Sequence, residues 1–262
     1  MEMKGGHERK CIVMVCEMIG TALLTYGVIM TDKVASIPFS LFASILIFGA
    51  ISGGHFNPAF TLAVFITEDD KSQCWPFMLL IWLGQFLGAM LAIGIAFVSL
   101  FDSSTVNGSV PDELIPRLCP IEYPKIDTQS EDCDNWDGSS VFSYDYQVLV
   151  NELIGTFVFV TLRLILKVKE ERIRVTSNSV SEALGTSLGL LAMLRTGTKL
   201  GVCFNPAIVL ALTFNSQIFL GEGTSYLLHY MPFYLIGPVL GACLAALFHV
   251  CHKNVMLERE SK

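Results

Sequence analysis

Apolar residues in this chain gather into long unbroken runs rather than into alternating or one-sided patterns. Six runs stand out, at 11–30, 36–51, 75–100, 146–167, 180–194 and 226–250. A helix needs roughly 20 apolar residues to cross a bilayer, so the pattern predicts six membrane-spanning helices in an all-α membrane protein. An even number of spans puts both ends of the chain on one side. The first ten residues are polar and no small-residue cleavage site follows the first run, so that run is expected to be a retained span. Two further apolar runs of about ten residues follow Asn57 and Asn205. As helix each extends roughly 15 Å, half of the hydrocarbon core.

The chain repeats itself in order. Glu17-Met-Ile-Gly-Thr21 in the first span matches Glu152-Leu-Ile-Gly-Thr156 in the fourth. His55-Phe-Asn-Pro-Ala59 matches Cys203-Phe-Asn-Pro-Ala207, and Gln85-Phe-Leu-Gly-Ala89 echoes Pro238-Val-Leu-Gly-Ala242. Three spans per half is an odd number, so the second half is inverted in the membrane, and such repeats place their functional site near the midplane where the halves meet. The expected layout is one channel-like domain with repeat 1 at 11–100, an outer linker at 101–145, repeat 2 at 146–251 and tails at 1–10 and 252–262.

Asn is a strong N-cap and Pro is at home in the first helical turn. Asn57-Pro58-Ala59 and Asn205-Pro206-Ala207 therefore read as the starts of two half-membrane helices entering from opposite faces, their tips meeting at the centre. Each N-terminus carries about half a positive charge, which makes the meeting point hostile to cations and protons. A capping Asn uses its side-chain oxygen on its own backbone and leaves its NH2 for the pore. Two such donors would hold the oxygen of a passing water and turn its hydrogens away, breaking a proton-relaying chain of waters.

Charge settles orientation rather than class. With the N-terminus inside, twelve Lys and Arg lie on the inner side and five on the outer, which favours cytosolic termini in a plasma-membrane or intracellular vesicle protein. Charged residues make up 16% of the chain, below the ~25% of soluble domains. Ten of the 24 acidic residues lie between Asp102 and Asp145, on the outer side. No basic patch exists outside the cytosolic loops, so nucleic-acid binding is excluded. The outer linker also holds Cys119 and Cys133, for which a disulfide and two free thiols are equally open readings, and Asn107-Gly108-Ser109, an N-glycosylation acceptor.

These residues carry a family resemblance. The stretch Ser52-Gly-Gly-His-Phe-Asn-Pro-Ala-Phe-Thr-Leu-Ala63, the paired Glu17 and Glu152, and the Gly-Ala pairs of the third and sixth spans resemble the aquaporin, or major intrinsic protein, family over nearly the whole chain except linker and tails. The resemblance implies a right-handed bundle of six spanning and two half-membrane helices, one pore per subunit, a homotetramer and no cofactor. It also implies that Glu17 and Glu152 brace the half-helix loops, with His55 packed beside them. The family's second motif usually continues with Arg; here Ile208 stands in that place. Counting from the two asparagines, the other walls of the outer constriction fall at Ile37, Met193 and Val202, so the constriction is expected to be wholly apolar. The loss of the arginine is similar to an unorthodox, often intracellular branch of the family.

Passive water conduction is the first functional expectation, followed by small neutral solutes such as glycerol, hydrogen peroxide or ammonia. The alternative from another class is a poorly conducting membrane organiser that binds partners through the acidic outer loop. An enzyme has no support, since His55 has neither a paired nucleophile nor metal-ligand spacing.

Overall fold

In the computed structural model, residues 7–31, 36–100, 142–171, 173–197, 201–220 and 225–260 are described. Among them run eight helices: α1 His7–Ile29, α2 Ile37–Ser52, α3 Pro58–Thr67, α4 Lys71–Leu100, α5 Phe142–Leu166, α6 Ser179–Thr196, α7 Pro206–Leu220 and α8 Ser225–Glu260. Asn107, Cys119 and Cys133 of the linker lie outside the described residues.

Every expected span appears as a helix, but the helices do not all stop where the apolar runs stop. α8 continues ten residues past Val250 through Lys253 and Arg259, and α5 begins at Phe142 rather than at 146. α7 has 15 residues instead of ten, since the helix runs on past Asn215 to Leu220. Hydropathy marks where lipid begins and ends; the helix ladder runs on until its backbone groups find other partners.

Among the described residues four helical segments are long and apolar enough to cross a membrane: His7–Ile29, Cys74–Ser99, Tyr146–Leu166 and Leu228–Arg259. α2, with 16 residues, spans only about 24 Å, and α6 carries Glu182 and Arg195 in its end turns. Leu79, Leu83, Leu87, Leu91 and Ile95 form an exposed stripe down α4, and Leu240, Leu244 and Leu247 do so on α8. Apolar stripes of this length suit contact with lipid tails rather than water.

The packing keeps its pattern when the two halves are exchanged. α1 packs on α4 as α5 packs on α8, and α1 on α2 as α5 on α6. Each half-helix lies against the last helix of the other half, α3 on α8 and α7 on α4. Close approach in the two main pairs depends on small residues at matched positions. A Cβ on Gly88 would sit 2.1 Å from the Met18 carbonyl oxygen, and one on Gly241 would sit 2.5 Å from that of Leu153. Small residues at membrane helix interfaces let backbones come this near. One departure from the symmetry is the packing of α3 on α5.

Candidate functional site

The site is built from two loops that dive toward the middle and turn back as α3 and α7. Gly53 (φ 87°) ends α2 and Gly54 (φ 62°) continues the reversal. Both conformations are left-handed and suit a residue without Cβ. At the tips Phe56 (φ 49°) and Phe204 (φ 55°) adopt the same left-handed backbone, which costs a non-glycine residue of order 1 kcal/mol or more and persists only where the surroundings over-determine it.

Those surroundings are two buried glutamates and two glycines. Glu17 on α1 accepts hydrogen bonds from the backbone N–H groups of His55 (2.8 Å) and Phe56 (2.7 Å), from Ser52 Oγ (2.6 Å) and from Gln85 Nε2 (2.9 Å). Glu152 on α5 accepts from the N–H groups of Cys203 (2.7 Å) and Phe204 (2.8 Å). The Phe56 ring fills the space over Gly20, where a Cβ would lie 2.0 Å from it, and the Phe204 ring does so over Gly155 at 2.2 Å. The repeated Glu-x-x-Gly thus supplies an anchor for each loop and a slot for its aromatic ring.

Asn57 and Asn205 cap their helices: Asn57 Oδ1 accepts from Ala59 N–H (2.8 Å) and Asn205 Oδ1 from Ala207 N–H (3.1 Å). Their amide nitrogens reach across. Asn57 Nδ2 donates to the Phe204 carbonyl (2.7 Å), and Asn205 Nδ2 donates to the Phe56 carbonyl (2.9 Å). The sequence-based expectation of two wholly free NH2 groups is corrected here. Each amide carries two hydrogens; one is taken by the opposite loop and one remains.

Both asparagines line an internal cavity of about 50 Å³, room for a few waters on a scale where one needs about 10–15 Å³. Its wall is otherwise mostly apolar. Ile37, Val202 and Ile208 belong to it, as do Leu190 and Leu194 of α6. Met193, the fourth residue expected at the outer constriction, is not in this lining, where Leu194 of α6 stands; it packs against the hydrophobic core, as Ile37 and Val202 also do. His55 also lines the cavity. Its Nδ1 lies 3.2 Å from Thr61 Oγ1, while buried Nε2 has no partner among the described residues. Among those residues no group of three or more His, Cys, Asp or Glu is placed to hold a metal ion.

Sequence reasoning missed two cations. Arg163 of α5 is 1% exposed and donates through Nη2 to the Gly54 carbonyl and, at 3.5 Å, to that of Gly53. Its guanidinium lies 4.5 Å from the centre of the Phe60 ring. Lys167, one turn on, donates to the Gly53 carbonyl and lies 3.8 Å from Glu182. The signal was available: an arginine inside an apolar run is expensive and usually functional.

An all-helical framework in which two short helices meet tip to tip at a cavity is the architecture of a helical membrane channel. A family model described as "Major intrinsic protein" matches residues 11–249, and the chain belongs to this family, that of the aquaporins. It is 28% identical over 211 residues to "Aquaporin AqpM" of Methanothermobacter marburgensis, a match covering 80% of this chain and 71% of that relative. Against the "Glycerol uptake facilitator protein" of Buchnera aphidicola it is 24% identical over 270 residues, covering 93% and 96%. Among solved structures it is similar to the aquaglyceroporin of Plasmodium falciparum, with a TM-score of 0.68 and 19% identity over 92% of this chain and 95% of that one. The protein is therefore an integral membrane member of a channel family.

Proposed function

We propose that the chain is a passive channel for water, and for small neutral solutes such as glycerol, that excludes protons and ions where Asn57 and Asn205 meet. The observation that carries this reading is the pair of capping asparagines, each with one N–H left over, lining a single cavity at the N-termini of two helices. The two remaining N–H donors hold the oxygen of a water and orient both its hydrogens away. A proton relay needs neighbouring waters to donate in one direction, and that order fails at this point. Helix N-termini add positive potential from both sides.

The outer side of the cavity favours breadth of permeant. Ile37, Val202 and Ile208 present only carbon, so a solute with an apolar backbone meets no desolvated charge there. An aliphatic wall also raises the barrier for water, since hydrophobic constrictions resist wetting. The relatives include both an aquaporin and a glycerol facilitator, which supports keeping both permeants. The chain is further proposed to assemble as a homotetramer with both termini in the cytosol.

Stopped-flow light scattering on proteoliposomes, with an impermeant osmolyte and then with glycerol, tests the reading. Wild type is expected to pass both water and glycerol, and Ile208→Arg to lose glycerol while keeping water. Equal glycerol flux in the two proteins contradicts the role given to the apolar wall.

A further inference from the structure

Two cavities lie one behind the other along one face of α5. Phe159 lines the inner cavity that holds the asparagines. Lys167, two turns further on, lines a second cavity of about 470 Å³ together with Arg9, Lys169 and Arg174. Arg163 is four residues from each of them, on the same face of the helix, and belongs to neither lining.

The neighbouring elements run in the same order. On the loop, His55 faces the inner cavity and Gly53 the second one. Between them is Gly54, whose carbonyl takes the Arg163 Nη2 hydrogen bond. On α2, Leu41 faces the inner cavity and Ile45 the second; on α6, Leu190 and Glu182 do so. Between Leu190 and Glu182 lie Thr186 and Ser187, both buried, with hydroxyls that have no partner among the described residues. The segments that run between the two linings therefore carry a guanidinium, a carbonyl-bearing turn without side chain, and hydroxyls.

The guanidinium is incompletely satisfied. Nε and Nη1 are buried with no hydrogen-bond partner among the described residues. Burying donors in this state is costly, and a membrane helix carries an arginine only where it has a use. A residue that served only to tie down the loop would need Nη2 alone.

We propose that Arg163 is the selectivity residue of the conduction path, standing across it between the inner cavity and the second one. This rests on the channel reading above. The fixed charge repels cations. The remaining N–H groups give the oxygen of a passing water or polyol a donor in place of the hydrogen bonds it leaves behind, and the Thr186 and Ser187 hydroxyls offer it acceptors. The arginine thus supplies, on the opposite side of the asparagines from Ile208, the charge that the aliphatic wall lacks.

The test uses the full chain in proteoliposomes, with water flux by light scattering and K⁺ uptake by a fluorescent indicator, for wild type, Arg163→Met, Arg163→Gln and Arg163→Lys. Wild type is expected to pass water and exclude K⁺. Arg163→Met is expected to admit K⁺ at roughly tenfold the wild-type rate or more, the change produced by removing about 1.4 kcal/mol of barrier. Arg163→Gln, which keeps N–H donors for the Gly54 carbonyl, serves the same purpose should the Met variant not fold. Arg163→Lys keeps K⁺ out. Neutral variants that pass water and exclude K⁺ as wild type does overturn the proposal, as does an equal loss of water flux in all three without K⁺ entry, which marks a merely structural arginine. Wild type and all variants no faster than empty vesicles overturn the channel reading, and this proposal with it.

Discussion

Asn57 donates an amide hydrogen to the carbonyl oxygen of Phe204, 2.7 Å away and 147 residues further along the chain. Asn205 returns the bond to Phe56. The asparagines are thus the clasp between the two halves as well as the caps of their own helices. Replacing either NH2 by an oxygen sets acceptor against acceptor across a buried gap. Asn57→Asp and Asn205→Asp are each expected to lower stability by about 2 kcal/mol, the cost of leaving a buried polar group unpaired. Thermal unfolding in detergent reads this, and the two variants should suffer alike because their bonds are equivalent.

The glutamates should not suffer alike. Among the described residues Glu17 accepts from four donors and Glu152 from two, and Pro238 stands in the second half where Gln85 does in the first. In Glu17→Gln an amide NH2 must face a donor whichever way it turns. That variant is expected to lose about 3 kcal/mol, and Glu152→Gln a smaller amount, since each orphaned buried donor costs about 1–3 kcal/mol. Equal midpoints in a denaturation series would count against the asymmetry.

Glycines give a sharper contrast. Gly88 meets the Met18 carbonyl so closely that a Cβ cannot enter without parting α1 from α4, whereas a Cβ on Gly94 meets nothing within 4 Å. Gly88→Ala is expected to abolish recovery of folded protein. Gly94→Ala is expected to be neutral or to stabilise by up to about 1 kcal/mol through helix propensity. Fluorescence-detected size-exclusion profiles separate the two outcomes.

At the end of the bundle, Lys253 of α8 pairs with Glu170 in the loop after α5. The hydrogen bond from Lys253 holds the Glu170 carboxyl below its ordinary value of 4.5. A depressed carboxyl stabilises the fold above that range and loses its effect as pH falls through it. Both side chains are more than a third exposed, so the contribution is about 0.5 kcal/mol. Lys253→Met should lower stability by about that amount at neutral pH, match wild type once the carboxyl is protonated, and so flatten this part of the acid limb of the stability curve.

Much of the framework was legible because run length and internal repetition are properties of the sequence itself. Asn-Pro announced both half-helices through local capping chemistry, and Asn57 and Asn205 do cap them. What the asparagine amides reach, the Phe204 and Phe56 carbonyls, depends on how distant segments pack, and no local rule gives it. The choice between Met193 and Leu194 turns on helix rotation, which counting back from Asn205 cannot supply. Arg163 was legible as a charge but read only as an indicator of sidedness. Its place four residues after Phe159 acquires meaning once the loop at Gly54 is known to lie against it.

The central claim is that the Asn57–Asn205 midplane passes water while breaking the proton chain. It is tested most directly by loading proteoliposomes with a pH-sensitive dye and recording osmotic shrinkage and internal pH in the same vesicles. The expected result is shrinkage faster than in empty liposomes with no added proton leak under an imposed pH gradient. Shrinkage no faster than in empty liposomes, or water flux accompanied by proton flux, contradicts it.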